Sequence, residues 1–204
     1  MSPASRLEEN VGKQCVLILG GARSGKSRFA QQLAAELGEQ VLFVATASAL
    51  DEEMKRRIEA HRKARPQDWR TLEVSTRVGR RIMELVGDTG VVLLDCVTLL
   101  ISNVFGEREE RHSLEEEGEP FLEKQVALEL EELIACIEQL DATFIIVSNE
   151  VGMGLVPVNE LGRAYRDLLG KANQELARCA DRVYLMIAGM PIQIKPSASL
   201  GAFD

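Results

Sequence analysis

The run Gly20-Gly21-Ala22-Arg23-Ser24-Gly25-Lys26-Ser27 carries the residue types and spacing of a phosphate-binding loop, G-x-x-x-x-G-K-[ST]. Glycines let successive backbone N–H groups turn inward as an anion nest, and the start of the following helix adds its dipole. Lys26 is placed to reach the terminal phosphates of a nucleoside triphosphate, and Ser27 to ligate Mg²⁺. An apolar run (CVLIL) leads into the loop and an amphipathic one (KSRFAQQLAAEL) leads out, the strand–loop–helix context the motif requires. Such a loop calls for a carboxylate at the end of a neighbouring strand. Asp95, closing Val91-Val92-Leu93-Leu94, supplies one for Mg²⁺, directly or through water.

A histidine is the next group capable of chemistry. Between Leu50 and Pro66 the sequence reads as a helix in which Leu50, Met54, Ile58 and His61 share one face. Periodicity leaves two readings open for His61, a core histidine bonded to backbone or a nucleophile. Arg57, Arg62, Lys63 and Arg65 surround it with positive charge suited to a triphosphate, and neutral imidazole is a competent nucleophile near pH 7. The other histidine, His112, lies in an acidic stretch and reads as solvated.

The elements that must position these groups alternate. Strands are predicted at Cys15–Leu19, Val41–Thr46, Val91–Cys96, Thr143–Ser148 and Arg182–Ala188, mostly as continuous apolar runs suited to burial on both faces. Helices are predicted at Lys26–Leu37, Leu50–Ala64, Arg77–Val86, Phe121–Leu140 and Glu160–Cys179. The order implies an α/β fold, a mostly parallel sheet flanked by helices. Thr71–Val74 is expected at a sheet edge, as is Met190–Lys195, the antiparallel hairpin partner of Arg182–Ala188. Residues 1–14 read as a flexible tail and 15–204 as a single α/β domain, with an acidic insertion at about 106–120.

At 204 residues, 46% apolar and 27% charged, the chain has the composition of a soluble globular protein. No apolar run reaches the ~20 residues that span a bilayer, and no signal-peptide core is visible, so the expected location is cytoplasmic. The net charge is −8, of which eight Glu against two Arg between Glu107 and Glu123 account for −6. The remainder is close to neutral and has no basic stripe, which argues against nucleic acid and for small anionic substrates. Cys15, Cys96, Cys136 and Cys179 fit neither a zinc site nor a disulfide framework and read as buried free thiols.

Taken in order, G-G-A-R-S-G-K-S, V-A-T-A, D-E-E-M-x-x-R-I-x-x-H, R-P-x-x-W-R-T-L-E and S-N-E-V-G-M-G-L-V-P resemble the bifunctional cobinamide kinase/cobinamide-phosphate guanylyltransferases from about Val16 to Lys195. The resemblance implies a RecA-like P-loop NTPase fold and two reactions. ATP or GTP phosphorylates the aminopropanol hydroxyl of adenosylcobinamide, and GTP gives GMP to adenosylcobinamide phosphate, yielding adenosylcobinamide-GDP and pyrophosphate. It implies that His61 carries GMP as a phosphoramidate, and that Ala45, Thr46, Ala47 and Arg62, Lys63, Ala64 and Arg65 contact the nucleotide. Glu73 and Asp95 match acidic positions associated with nucleotide or metal, Asp95 being shorter than the glutamate of some members. A homotrimer is implied as well. Beside it, Glu150 reads as a base for the cobinamide hydroxyl or as a helix cap, and Ser148 and Asn149 as sensors of the γ-phosphate. Two other readings compete: a P-loop kinase of another small alcohol, and a nucleotide-binding switch. The absence of a base-reading N-K-x-D stretch weighs against the switch.

Overall fold

The structure, a computed structural model, describes residues 13–37, 40–47, 52, 55, 56, 59, 62, 65–111 and 119–195, without the side chains of 107–111 and 119. Its strands are β1 (Cys15–Gly20), β2 (Val41–Ala45), β3 (Arg70–Glu73), β4 (Val91–Asp95), β5 (Thr143–Val147), β6 (Arg182–Ile187) and β7 (Met190–Lys195). They form one seven-stranded sheet in the order β3-β2-β4-β5-β1-β6-β7. All neighbours pair in parallel except β7, which returns antiparallel along β6. The edge positions expected for the short third strand and the terminal hairpin are both observed.

The continuous apolar runs still alternate by face, as the pleat demands. Val16, Ile18, Phe43, Leu93, Ile145 and Tyr184 pack with Phe29, Ala30, Leu33 and Ala34 of helix α1 (Lys26–Glu36). Their neighbours Leu17, Leu42, Val44, Leu94, Phe144 and Val183 point to the other layer. That layer is built from α2 (Val78–Leu85), α3 (Val97–Arg111), α4 (Glu119–Gln139) and α5 (Glu160–Cys179). Each fully buried Leu or Phe there contributes about 2 kcal/mol by its removal from water.

Two expectations need correction. Helix α3 was not anticipated, and it runs into the stretch read as an acidic insertion. Val97, Leu100, Ile101, Val104 and Phe105 form one buried face, but Thr98 is buried too and Leu99 packs against the opposite core cluster, so little is left of the polar face that marks a helix in sequence. The boundary expected at residue 14 also shifts, because residue 14 belongs to the folded body. Gln14 is buried, and its carbonyl accepts a hydrogen bond from the Phe144 N–H at 2.7 Å. Residues 1–12, most of the predicted helix Leu50–Ala64, and 112–118 with His112 lie outside the described residues.

The topology creates the site. From β1 the chain crosses to β2 on one side of the sheet, and from β5 it crosses to β6 on the other. Neighbouring strands β1 and β5 therefore feed connections in opposite directions, and a crevice opens at their carboxyl ends.

Candidate phosphate-binding site

The loop from Gly20 to Ser27 fills that crevice. Gly20 adopts φ 151° and Gly25 φ 96°, and Arg23 takes φ 57° between them. A Cβ on Gly20 would lie 2.7 Å from the Met186 carbonyl oxygen, and one on Gly25 would lie 3.2 Å from Cα of Gly189, so both positions need glycine. The turn closes through Ser24 N–H to Gly21 C=O at 3.3 Å, and α1 begins with Phe29 N–H to Gly25 C=O at 3.0 Å. Two outside contacts brace it. Glu150 N–H donates to Gly20 C=O at 3.0 Å, and Gly189 N–H donates to Ser24 C=O at 2.9 Å.

Lys26 is buried, 7% exposed, and its ammonium donates to the Gly21 carbonyl at 2.7 Å. Burial pulls its pKa below the ordinary lysine value, and the charges of Cys96 and Asp95 oppose that pull. Asp95 acts in the same way on Arg65, whose pKa is lowered chiefly by burial and raised by Asp95 and Glu73. One carboxylate at the end of β4 thus serves two cations, Lys26 from the loop and Arg65 from beyond β2. The Arg65 guanidinium lies flat on Phe43, its Cζ 3.6 Å from the ring centroid. Its Nε and one terminal nitrogen are buried with no hydrogen-bond partner among the described residues. Unpaired guanidinium donors beside a phosphate loop are an anion site in search of its ligand. Arg62 approaches Glu73 at 3.7 Å in an exposed ion pair that contributes little to stability.

Thr46 and Ala47 follow β2 directly, and Thr46 is fully buried. Its hydroxyl donates to the Cys96 carbonyl at 2.7 Å and accepts from the Cys96 N–H at 2.8 Å. Its carbonyl accepts from the Asn103 amide at 2.8 Å. The Thr46 side chain therefore joins β2 to the end of β4. Asn103, on the unanticipated helix α3, is a positioning residue without a local signal, because its partners lie 28 and 57 residues away.

On the opposite wall, Ser148 is fully buried after β5, with a hydroxyl that meets no hydrogen-bond partner among the described residues. The Ser24 hydroxyl is in the same condition. Asn149 is held by its backbone, its N–H donating to the Thr98 hydroxyl at 2.7 Å and its carbonyl accepting from Asn173 at 3.0 Å. The Glu150 carboxylate accepts from Gly152 N–H at 2.6 Å and so closes a turn. It caps no helix, because α5 begins ten residues later with Asn159 accepting from Gly162 N–H. Of the residues singled out in the sequence, Gly20, Ala45, Glu73 and Asp95 end their strands on the same carboxyl side of the sheet as the Gly20 to Ser27 loop, and Arg65 lies over Phe43 of β2. His61, Lys63 and Ala64 lie outside the described residues.

Mg²⁺ prefers hard oxygen donors, and the Ser27 hydroxyl on the loop and the Asp95 carboxylate closing β4 are of that kind. The charge of Asp95 raises the Lys26 pKa against the pull of burial, which sets carboxylate and loop lysine in each other's field. The donor set fits the ion.

Comparison with known proteins agrees with this geometry. Residues 16–194 match the family model described as cobinamide kinase / cobinamide phosphate guanyltransferase. The chain is 40% identical over 180 residues to the bifunctional adenosylcobalamin biosynthesis protein CobU of Escherichia coli, covering 88% of this chain and 99% of that one. It is 41% identical over 179 residues to CobP of Pseudomonas aeruginosa, which bears the same description, with 88% and 96% covered. Among solved structures, the flagellar accessory protein FlaH from Methanocaldococcus jannaschii superposes with a TM-score of 0.52 at 15% identity, over 97% of this chain and 86% of that one. That likeness concerns the fold alone, a mostly parallel sheet between layers of helices.

Proposed function

The chain belongs to the cobinamide kinase / cobinamide phosphate guanyltransferase family, and we propose that it performs both reactions of that name within cobalamin biosynthesis. The observation that carries the reading is the phosphate loop itself, with Lys26 buried and bonded to the Gly21 carbonyl, in a chain matched by the family model from residue 16 to 194.

In the kinase reaction, the γ-phosphate of ATP or GTP passes to the aminopropanol hydroxyl of adenosylcobinamide. The inward N–H groups of Gly21 to Ser27 hold the phosphate chain, and Lys26 exchanges the Gly21 carbonyl for the terminal phosphates. The hydroxyls of Ser24 and Ser148 are donors still available to the charge that develops. Glu150, beside the loop, accepts the proton of the attacking hydroxyl on exchanging its bond to Gly152. Ser27 and Asp95 would hold Mg²⁺, which would supply charge neutralisation at the phosphates.

In the guanylyltransferase reaction, His61 attacks the α-phosphorus of GTP, the bond to the β-phosphate oxygen breaks, and pyrophosphate leaves. The phosphoramidate then gives GMP to the phosphate of adenosylcobinamide phosphate. Ala45, Ala47, Arg62, Lys63, Ala64 and Glu73 form the nucleotide surround by family resemblance. Thr46 shapes it through Cys96, and Arg65 supplies unpaired donors on that side. The same resemblance supports a homotrimer, and a cytoplasmic location is part of the proposal. Met153, Leu155, Val156 and Val158 offer exposed apolar surface for self-association. No helix among the described residues is long and apolar enough to cross a membrane.

The test is to incubate the protein with α-³²P-GTP and Mg²⁺ and then denature it. Label that is acid-labile, base-stable and absent from His61→Ala is expected. Absence of label under conditions where GTP binds refutes the transferase assignment. Kinase turnover persisting in His61→Ala, with GMP transfer lost, is the companion result. Sedimentation equilibrium decides the oligomer, and a monomer would refute the trimer.

A further inference from the structure

Helix α5 carries one polar side chain inside its apolar face. Leu168, Leu169, Ala172 and Leu176 are buried there, and Asn173, 6% exposed, sits among them. Its amide nitrogen donates to the Asn149 carbonyl at 3.0 Å. A carbonyl only accepts, so the nitrogen must face Asn149. The amide oxygen is left buried with no hydrogen-bond partner among the described residues. A half-satisfied amide in a core weakens the fold, and an apolar side chain of the same branching would avoid that penalty. The reason for the asparagine lies in what its donor holds.

The Asn149 carbonyl and the Glu150 N–H are the two ends of one peptide group. That N–H donates to the Gly20 carbonyl at 3.0 Å, and the Gly20 carbonyl shares its own peptide group with the Gly21 N–H at the entry of the phosphate loop. Amides are thus linked head to tail, from the Asn173 side chain through the 149–150 peptide to the 20–21 peptide. Each peptide is planar and stiff, and aligned amides polarise one another. The preceding peptide is held from a second helix. Asn149 N–H donates to the Thr98 hydroxyl of α3 at 2.7 Å, and the Tyr165 hydroxyl of α5 donates to the Thr98 carbonyl at 2.9 Å. Burial, with the charge of Cys96 adding to it, pushes the Tyr165 pKa up to about 12, so the hydroxyl remains a donor. Its ring packs edge-on against Phe105 of α3, with centroids 5.5 Å apart. Ser148 and Glu150, the groups assigned above to phosphoryl transfer, flank the residue gripped in this way.

We propose that Asn173 and Tyr165 are positioning residues for phosphoryl transfer, holding the Ser148–Glu150 segment against the phosphate loop without touching a substrate. The inference rests on the kinase reading of that segment. Loosening the grip misplaces Ser148 and Glu150 relative to the γ-phosphate while the loop still binds the nucleotide. The effect falls on kcat of the kinase and spares GMP transfer to His61, whose place in the sequence is after β2 and not after β5.

The experiment compares the full chain with Asn173→Leu, Tyr165→Phe, Thr98→Val and Thr98→Ser. It reads kinase kcat and KM with ATP and adenosylcobinamide, His61 labelling by α-³²P-GTP, and melting temperature. A fall in kcat of about tenfold or more is expected in Asn173→Leu and Thr98→Val, and severalfold in Tyr165→Phe, with KM for ATP and His61 labelling within about twofold. Thr98→Ser keeps the hydroxyl and should restore most of kcat. Parallel losses of kinase and labelling that track melting temperature overturn the proposal, as does an unchanged kcat in all variants. Should Asn173→Leu fail to fold, Tyr165→Phe and the Thr98 pair decide alone. KM for ATP remains the control if the unaltered protein takes no label. If the unaltered protein labels His61 yet phosphorylates no adenosylcobinamide, the kinase reading itself is wrong and the positioning role falls with it.

Discussion

Thr46 and Cys96 exchange two hydrogen bonds through a single hydroxyl. The Thr46 oxygen donates to the Cys96 carbonyl at 2.7 Å and accepts from its N–H at 2.8 Å, locking the end of β2 to the residue after Asp95. Thr46→Val keeps the shape and strands a buried donor and acceptor. The expected cost is about 1–3 kcal/mol in stability, read from urea denaturation. Because Asp95 is held by this clamp, kinase turnover should fall as well. Thr46→Ser retains the hydroxyl and should recover most of both.

Lys26→Met separates ligand binding from stability. The folded pKa of Lys26 is lowered by burial, so the unfolded chain binds the extra proton between the folded value and the ordinary lysine value. Its contribution to stability is therefore lost as pH falls through the folded value and is full only above the unfolded one. Melting temperatures between pH 8 and pH 10 should rise less steeply in Lys26→Met than in the unaltered protein. The ligand-free variant should be at least as stable at pH 7, yet gain no thermal protection from ATP or GTP. A variant less stable without ligand would contradict the assignment of a buried charge as a cost.

Much of this architecture was open to sequence reading because coverage on both faces makes strands read as solid apolar runs, as in Val91-Val92-Leu93-Leu94. Helix α5 was placed to the residue, Glu160 to Cys179, where polar and apolar faces are well separated. Helix α3 was hidden because burial on several sides removes its polar face, and β-branched Val97, Thr98 and Ile101 imitate a strand. Phosphate-loop residues are local and could be found by spacing. Asn103, Thr98 and Asn173 act over separations of 57, 51 and 24 residues, so only the fold shows what they hold.

Gly79 is a case where helix propensity and packing predict opposite signs. In an exposed helix Gly→Ala gains about 1 kcal/mol. Here α2 crosses α4 so closely that a Cβ on Gly79 would sit 2.2 Å from the Glu132 carbonyl oxygen and 2.7 Å from Leu133 N. Backbone cannot yield as a side chain can. Gly79→Ala should lose roughly 1–3 kcal/mol, seen as a lower urea midpoint at unchanged slope. An increase in the midpoint would show that the two helices separate at little cost.

The thiols should react in a fixed order. The Cys179 pKa is held below its ordinary value by the Cys15 thiol bonded to it, with help from Lys195, whereas Cys15 is driven strongly upward by the same partner. Burial pushes Cys96 up to about 11 and Cys136 up to about 12. Cys179 is also the one of these four that is not fully buried. Iodoacetamide at pH 8 should alkylate Cys179 first, as followed by peptide mass mapping. Earlier modification of Cys96 or Cys136 would mean that the core opens more readily than its packing implies.

The contact of Arg65 with Phe43 bears on His61 through covalent geometry alone. Four peptide links separate Arg65 from His61, and an extended chain spans no more than about 3.6 Å per residue, so the histidine Cα lies within about 14 Å of the Arg65 Cα. If His61 is the nucleophile proposed above, that span gives it a local concentration on the β2–β4 side of the loop that no free imidazole in solution approaches. Replacing Phe43 with a smaller aliphatic residue loosens that contact without removing a reacting atom.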